Sequence, residues 1–234
     1  RKEKRYREMY DKAMQGIHDH LVFISEPGNL TYIAERHNGN LVHRMDHLVC
    51  FLGGLLALGA YTHPNGLESP VAQRDLKTGK ALAYTCYQMY ARMPTGLSPE
   101  YVDFSPYNTN TDFIAGDPAY ILRPEAVETF YILHQLTGDP VYLEWGWEVF
   151  QSIEEFCRTG AAYGSIDNVE IPNEPPEDRM ESFFLAETMK YLYLLMDKNA
   201  DIDVLSTHVF NTEAHPLRIS GLLPNGGSKR KWWG

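Results

Sequence analysis

The amino-acid sequence predicts an all-α fold of antiparallel helical hairpins that also carries small β-hairpins. Apolar side chains with a helical period recur at fairly even spacing along the 234 residues. The punctuation between these stretches is sharp, as at Gly138-Asp139-Pro140, which ends one helix and opens the next. No Ser/Gly-rich linker interrupts the run, so the helices belong to one body.

Taken in order, "RKEKRYREMYDKAMQGIHDHL" has the charges and aromatics of an amphipathic helix, expected over roughly residues 3 to 24. "LTYIAERHNGNLVHRM" follows, and its alternation on either side of Asn38-Gly39 predicts a β-hairpin. Helices are then expected near 45 to 60, 71 to 92, 124 to 137, 140 to 158 and 180 to 197. "VEIPNEPPEDRM" holds too many prolines to be regular and reads as a loop. The last residues, 220 to 234, read as a flexible basic tail bearing Trp232 and Trp233.

Composition limits the partners. With 21 basic and 31 acidic residues the formal charge is -10, which argues against general affinity for nucleic acid or an anionic membrane. The longest apolar stretch, "HLVCFLGGLLALGAYTH", is too short and glycine-rich to span a bilayer, so a buried helix is expected there. Three cysteines do not make a disulfide scaffold. Cys50 and Cys86 lie in apolar helical patterns and are either partners across neighbouring helices or two buried thiols; Cys157 is then left unpaired. The single Asn-x-Thr sequon, at Asn29, accepts a glycan only in a secretory compartment.

Four stretches carry chemistry. In "HRMDHLVCF", His43 and His47 are four apart as in a zinc helix, but Arg44 stands where the general-base glutamate belongs, so Asp46 is read as a cap and His47 as a satisfied core histidine. In "ILRPEAVETF", Pro124 opens a helix and Glu125 sits in its first turn, where the helix dipole and free N–H groups favour the ionised form. Such a carboxylate suits a base, and Arg123 beside it either pairs with it or binds a ligand. In "DRMESFFLAETMKYLYLL", Phe183 and Glu187 share a helix face, an arrangement that suits stacking on a pyranose or ordinary packing. In "VFNTEAHP", Thr212 offers a hydroxyl and a carbonyl, oxygens a Ca²⁺ ion accepts, and Glu213 adds charge; a plain capping turn uses the same residues.

Taken together and in this order, "MDHLVCF", "TCYQMY", "TGLSPE", "LRPEAVE", "YLEWGWEVFQSIEEFCRT", "DRMESFFLAET" and "VFNTEAHP" resemble the class I α-1,2-mannosidases, glycoside hydrolase family 47. The resemblance covers residues 1 to 219 and implies an (α/α)7 barrel that removes α-1,2-linked mannose from high-mannose N-glycans by Ca²⁺-dependent inverting hydrolysis. By motif it makes Thr212 the direct protein ligand of Ca²⁺ and Glu125 the base that activates water. It places Arg123, Asp46, His47, Phe183, Glu187 and Glu213 around the sugar and pairs Cys50 with Cys86. It further implies the lumen of the secretory pathway, endoplasmic reticulum or Golgi, or secretion.

One departure from the family pattern matters. The family's catalytic domain is about twice this length, and inversion needs two carboxylates on opposite faces of the sugar. Residues 1 to 219 are therefore expected to form the C-terminal half of a barrel, completed by an N-terminal companion chain or cleaved half. The alternative is a glycan-binding or assembly component, related to the quality-control branch of the family, that keeps the subsite without hydrolysis.

Overall fold

The structure, a computed structural model, describes residues 3 to 104 and 110 to 219. Residues 220 to 234, read above as a basic tail, lie outside the described residues. Six helices dominate the described residues: α1 (Lys4–His20), α2 (Phe51–Tyr61), α3 (Pro70–Ala91), α4 (Glu125–Thr137), α5 (Val141–Phe156) and α6 (Met189–Met196). Among the described residues nine short strands join them: β1 (Val22–Ile24), β2 (Thr31–Ile33), β3 (Glu35–His37), β4 (Asn40–Val42), β5 (Arg44–Asp46), β6 (Tyr101–Phe104), β7 (Phe113–Asp117), β8 (His208–Phe210) and β9 (Pro216–Arg218). They form antiparallel pairs β1-β2, β3-β4 and β8-β9 and one three-stranded sheet, β5-β6-β7.

The helices alternate between two layers. α2, α4 and α6 lie side by side, with α3 packed over α2 and α4 and α5 over α4 and α6. α4 is central and buried on nearly every face. α2 and α3 approach closely because both contribute glycine: a Cβ on Gly79 would stand 2.7 Å from the Gly53 carbonyl oxygen. The Cys50–Cys86 disulfide ties the start of α2 to α3, as the family resemblance implied, and Cys157 is free and buried. Thr129 of α4 locks the third helix of this junction, its hydroxyl donating to the Cys50 carbonyl at 2.6 Å and accepting from the Gly54 amide at 2.8 Å.

Several expectations hold. The Asn38-Gly39 turn joins β3 to β4, with both residues at positive φ. Gly138 ends α4 in the left-handed conformation (φ 69°), and the Asp139 carboxylate accepts the Val141 amide at the start of α5. Residues 169 to 180 form neither helix nor strand.

Others need correction. The first helix stops at His20, because the residues after Leu21 enter strand β1. The helix expected over 45 to 60 starts at Phe51; residues 44 to 46 are strand β5 and His47–Cys50 a 3₁₀ turn. His43 and His47 therefore do not share a helix face: the His43 Nδ1 meets the Tyr32 hydroxyl at 2.7 Å, while His47 turns inward. The last helix opens later than residue 180, with a π-helical turn at Phe184–Thr188 before α6. No described helix is long and apolar enough to cross a membrane.

One face stands open. The outer surfaces of α5 and α6 enclose an apolar hollow of about 200 Å³ lined by Trp147, Phe150, Met189, Leu192, Tyr193 and Met196. Trp147 is 49% and Tyr193 65% exposed there.

Candidate functional site

The site is built where the three-stranded sheet delivers the chain to α4. The Glu100 carbonyl, just before β6, accepts the His47 amide at 2.8 Å, so the sheet fixes the 3₁₀ turn that carries the imidazole. Asp46 caps that turn, its carboxylate accepting the Leu48 amide at 2.9 Å. On the other side the chain reaches α4 through Leu122, whose φ of +67° is unusual for a bulky residue. Its carbonyl accepts the Thr188 hydroxyl at 2.7 Å, which ties this bend to the π-helical turn. Strained backbone and a π-turn thus converge on the same few residues, as they often do at functional sites.

Glu125 opens α4 and is buried. Its Oε2 lies 2.9 Å from His47 Nδ1 and its Oε1 3.8 Å from Arg123 Nη1. Burial alone would raise its pKa, but the hydrogen bond from His47, its own backbone amide and Arg123 outweigh that and hold it below the usual carboxylate value. The carboxylate is ionised at neutral pH. His47 is only 1% exposed, and its Nε2 lies 2.8 Å from the Tyr90 hydroxyl, so both ring nitrogens are satisfied.

Arg123 makes the choice its sequence context left open. Its Nε lies 2.8 and 2.9 Å from the two Glu100 oxygens, and its Nη2 2.7 Å from Oε2. Its guanidinium also stands 5.9 Å from the Phe183 ring centre. One side chain thereby joins Glu100, Glu125 and the aromatic ring of the π-turn. Glu100 was not singled out in the sequence, since its pairing spans 23 residues.

Glu128 was missed as well. One turn below Glu125, it accepts the Tyr191 hydroxyl at 2.9 Å. Burial, opposed in part by that hydrogen bond and reinforced by Glu187 and Glu125, pushes its pKa to about 7. The signal available was the spacing Glu125-x-x-Glu128, which puts two carboxylates on one helix face. Glu187 is raised by burial and by Glu213 and Glu125, with Lys190 opposing. Four carboxylates, at positions 125, 128, 187 and 213, therefore share one electrostatic neighbourhood.

The β8-β9 hairpin brings the last residues in. Asn211 Oδ1 accepts the amides of Glu213 and His215, shaping the turn, and the Ala214 carbonyl accepts the Lys190 ammonium at 2.8 Å. Thr212 is exposed on this turn, joined to the Glu125 group only through its neighbours Glu213 and Ala214. Among the described residues no three His, Cys, Asp or Glu side chains are clustered as direct metal ligands. A crowded set of carboxylates beside an exposed hydroxyl and carbonyl does suit a hard cation held by few protein atoms and several waters.

Comparison with known proteins gives these residues a context. The model of the glycosyl hydrolase family 47 matches residues 1 to 219. The chain is 45% identical to a human endoplasmic reticulum mannosyl-oligosaccharide 1,2-alpha-mannosidase, over 94% of this chain and 31% of the relative. It is 44% identical to a Drosophila melanogaster mannosyl-oligosaccharide alpha-1,2-mannosidase IA, over 92% of this chain and 31% of the relative. It superimposes on an alpha-1,2-mannosidase from Trichoderma reesei with a TM-score of 0.81 at 30% identity, covering 92% of this chain and 47% of the other. It thus spans about a third of the length of these curated relatives. A match of this extent, on a fold shared with a solved mannosidase, makes the chain a member of glycosyl hydrolase family 47.

Proposed function

We propose that the chain is the C-terminal half of an (α/α)7 barrel that hydrolyses terminal α-1,2-linked mannose from high-mannose N-glycans, with inversion and with Ca²⁺. The observation that carries this reading is Glu125, a buried carboxylate kept ionised by His47 and Arg123 at the first turn of a central helix. Supporting it are relatives named as 1,2-alpha-mannosidases.

In this reading Glu125 takes a proton from the attacking water as its oxygen bonds to the anomeric carbon. The glycosidic C–O bond breaks and the leaving oxygen receives a proton from a second carboxylic acid. In this reading Glu128, although it holds a proton near neutral pH, is not that acid, because it shares a helix face with Glu125 and inversion puts the acid across the sugar from the base. The second acid therefore comes from an N-terminal companion, and the open apolar face of α5 and α6 offers a surface for the rest of such a barrel. Phe183 presents a ring to the sugar, while Arg123, Asp46, His47, Glu187 and Glu213 bind its hydroxyls or support those that do. Thr212 would hold Ca²⁺ through its hydroxyl and carbonyl oxygens, and the ion would supply polarisation and orientation of the sugar hydroxyls. The Cys50–Cys86 disulfide supports a place in the secretory lumen.

The test is mannose release from a high-mannose glycan by this chain assembled with the remainder of the family domain. Release that stops with a Ca²⁺ chelator, and a Glu125→Gln protein slowed about 10²–10⁴-fold yet still binding glycan, are expected. Turnover preserved in Glu125→Gln would remove it as the base. Binding without any release by the wild type would instead favour a glycan-binding component.

A further inference from the structure

We infer that Tyr90 is a positioning residue that fixes the tautomer of His47 and through it the charge state of Glu125. This rests on the reading of Glu125 as the base. The three side chains come from separate elements and form a buried line: Tyr90 hydroxyl to His47 Nε2 at 2.8 Å, and His47 Nδ1 to Glu125 Oε2 at 2.9 Å. Tyr90, on α3, is 1% exposed and touches the imidazole edge-on.

The proton positions follow from the partners. An ionised Glu125 accepts only, so the nitrogen facing it, Nδ1, must carry the hydrogen. Nε2 faces a phenol whose single hydrogen bond of normal geometry among the described residues is the one to His47. Tyr120 packs edge-on beside Tyr90, and the contact between the two hydroxyls lowers the Tyr90 pKa and raises that of Tyr120, so Tyr120 is the donor in it and offers no acceptor for the Tyr90 hydrogen. A buried O–H without an acceptor is costly, so Tyr90 donates to Nε2 and leaves it unprotonated. Burial, with the Glu125 charge, raises the Tyr90 pKa well above its ordinary value, so the phenol remains a donor. His47 is thus a neutral imidazole held in the Nδ1–H form. Without the phenol that form loses its lock: a switch to Nε2–H turns a lone pair toward the Glu125 carboxylate and disfavours its ionised state.

The direct test is nitrogen NMR of this chain labelled with ¹⁵N-histidine, the His47 signal being assigned by its loss in His47→Asn. At neutral pH the wild type should show Nδ1 protonated and Nε2 bare, and Tyr90→Phe should populate the Nε2–H form. An imidazolium or an Nε2–H form in the wild type, or an unchanged tautomer in Tyr90→Phe, would overturn the inference whatever the protein hydrolyses. In the assembled enzyme, Tyr90→Phe should lower kcat about 10-fold with KM little changed and move the acidic limb of the pH profile upward. The same change in a His47→Asn background should have little further effect, because the amide of Asn presents a fixed donor to Glu125. An equal loss in both backgrounds would mean that the hydroxyl only packs.

Discussion

Glu125 and Glu128 lie one turn apart on α4, and their pKa values are shifted in opposite directions. Glu125 gains partners for its charged form, so it contributes stability above its unfolded pKa that is lost as pH falls through its lower folded value. Glu128 is desolvated with one hydroxyl partner and prefers its proton, up to about pH 7. Between about pH 4.5 and 7 the unfolded chain has released that proton while the folded chain still holds it, so Glu128 makes stability fall as pH rises. Glu128→Gln removes this dependence. In the presence of chelator the variant should match the wild type near pH 4.5 and gain up to about 3 kcal/mol at pH 8 by urea unfolding. A difference that does not vary with pH would contradict the assigned ionisation. In the sequence, Glu125 was recognisable because Pro124 marks a helix start and a first-turn acid has a physical purpose. Tyr90 and Glu100 were not, since their partners lie 43 and 23 residues away and only the fold brings them together.

Longer elements were more legible than short ones. α3, α4 and α5 fall within two residues of their expected bounds because each offers several turns of apolar period and a clear stop. Strands of three to five residues offer too little alternation to be seen, so β5, β6 and β7, which aim His47 and Glu100 at the site, were not anticipated. Only the Asn38-Gly39 hairpin had turn chemistry strong enough to show. The α2–α3 contact is equally specific in its needs. Gly79→Ala drives a methyl group against the backbone oxygen of Gly53, which cannot rotate away as a side chain could. Destabilisation of about 1–3 kcal/mol is expected from chemical denaturation, whereas Gly16→Ala, with open space at its Cβ, should not destabilise. A neutral Gly79→Ala would mean that the two helices can separate.

At the scale of the molecule, the two-layer order of helices explains both the site and the open face. Inner helices α4 and α6 carry or border the carboxylates, and outer helix α5 covers their seam. The hollow between α5 and α6 has no described element over it, and an exposed apolar surface of this kind marks a contact. In the proposed assembly, Trp147→Glu with Tyr193→Glu should abolish retention of the N-terminal remainder in native mass spectrometry while the isolated chain keeps its helical content. Retention at wild-type level would place the contact elsewhere. The measurement that tests the account most directly is time-resolved proton NMR of mannose released from a high-mannose glycan by that assembly with Ca²⁺. The account predicts β-mannose as the first anomer, since water attacks opposite the departing α-linked oxygen under Glu125. First appearance of α-mannose, or no release, would contradict it.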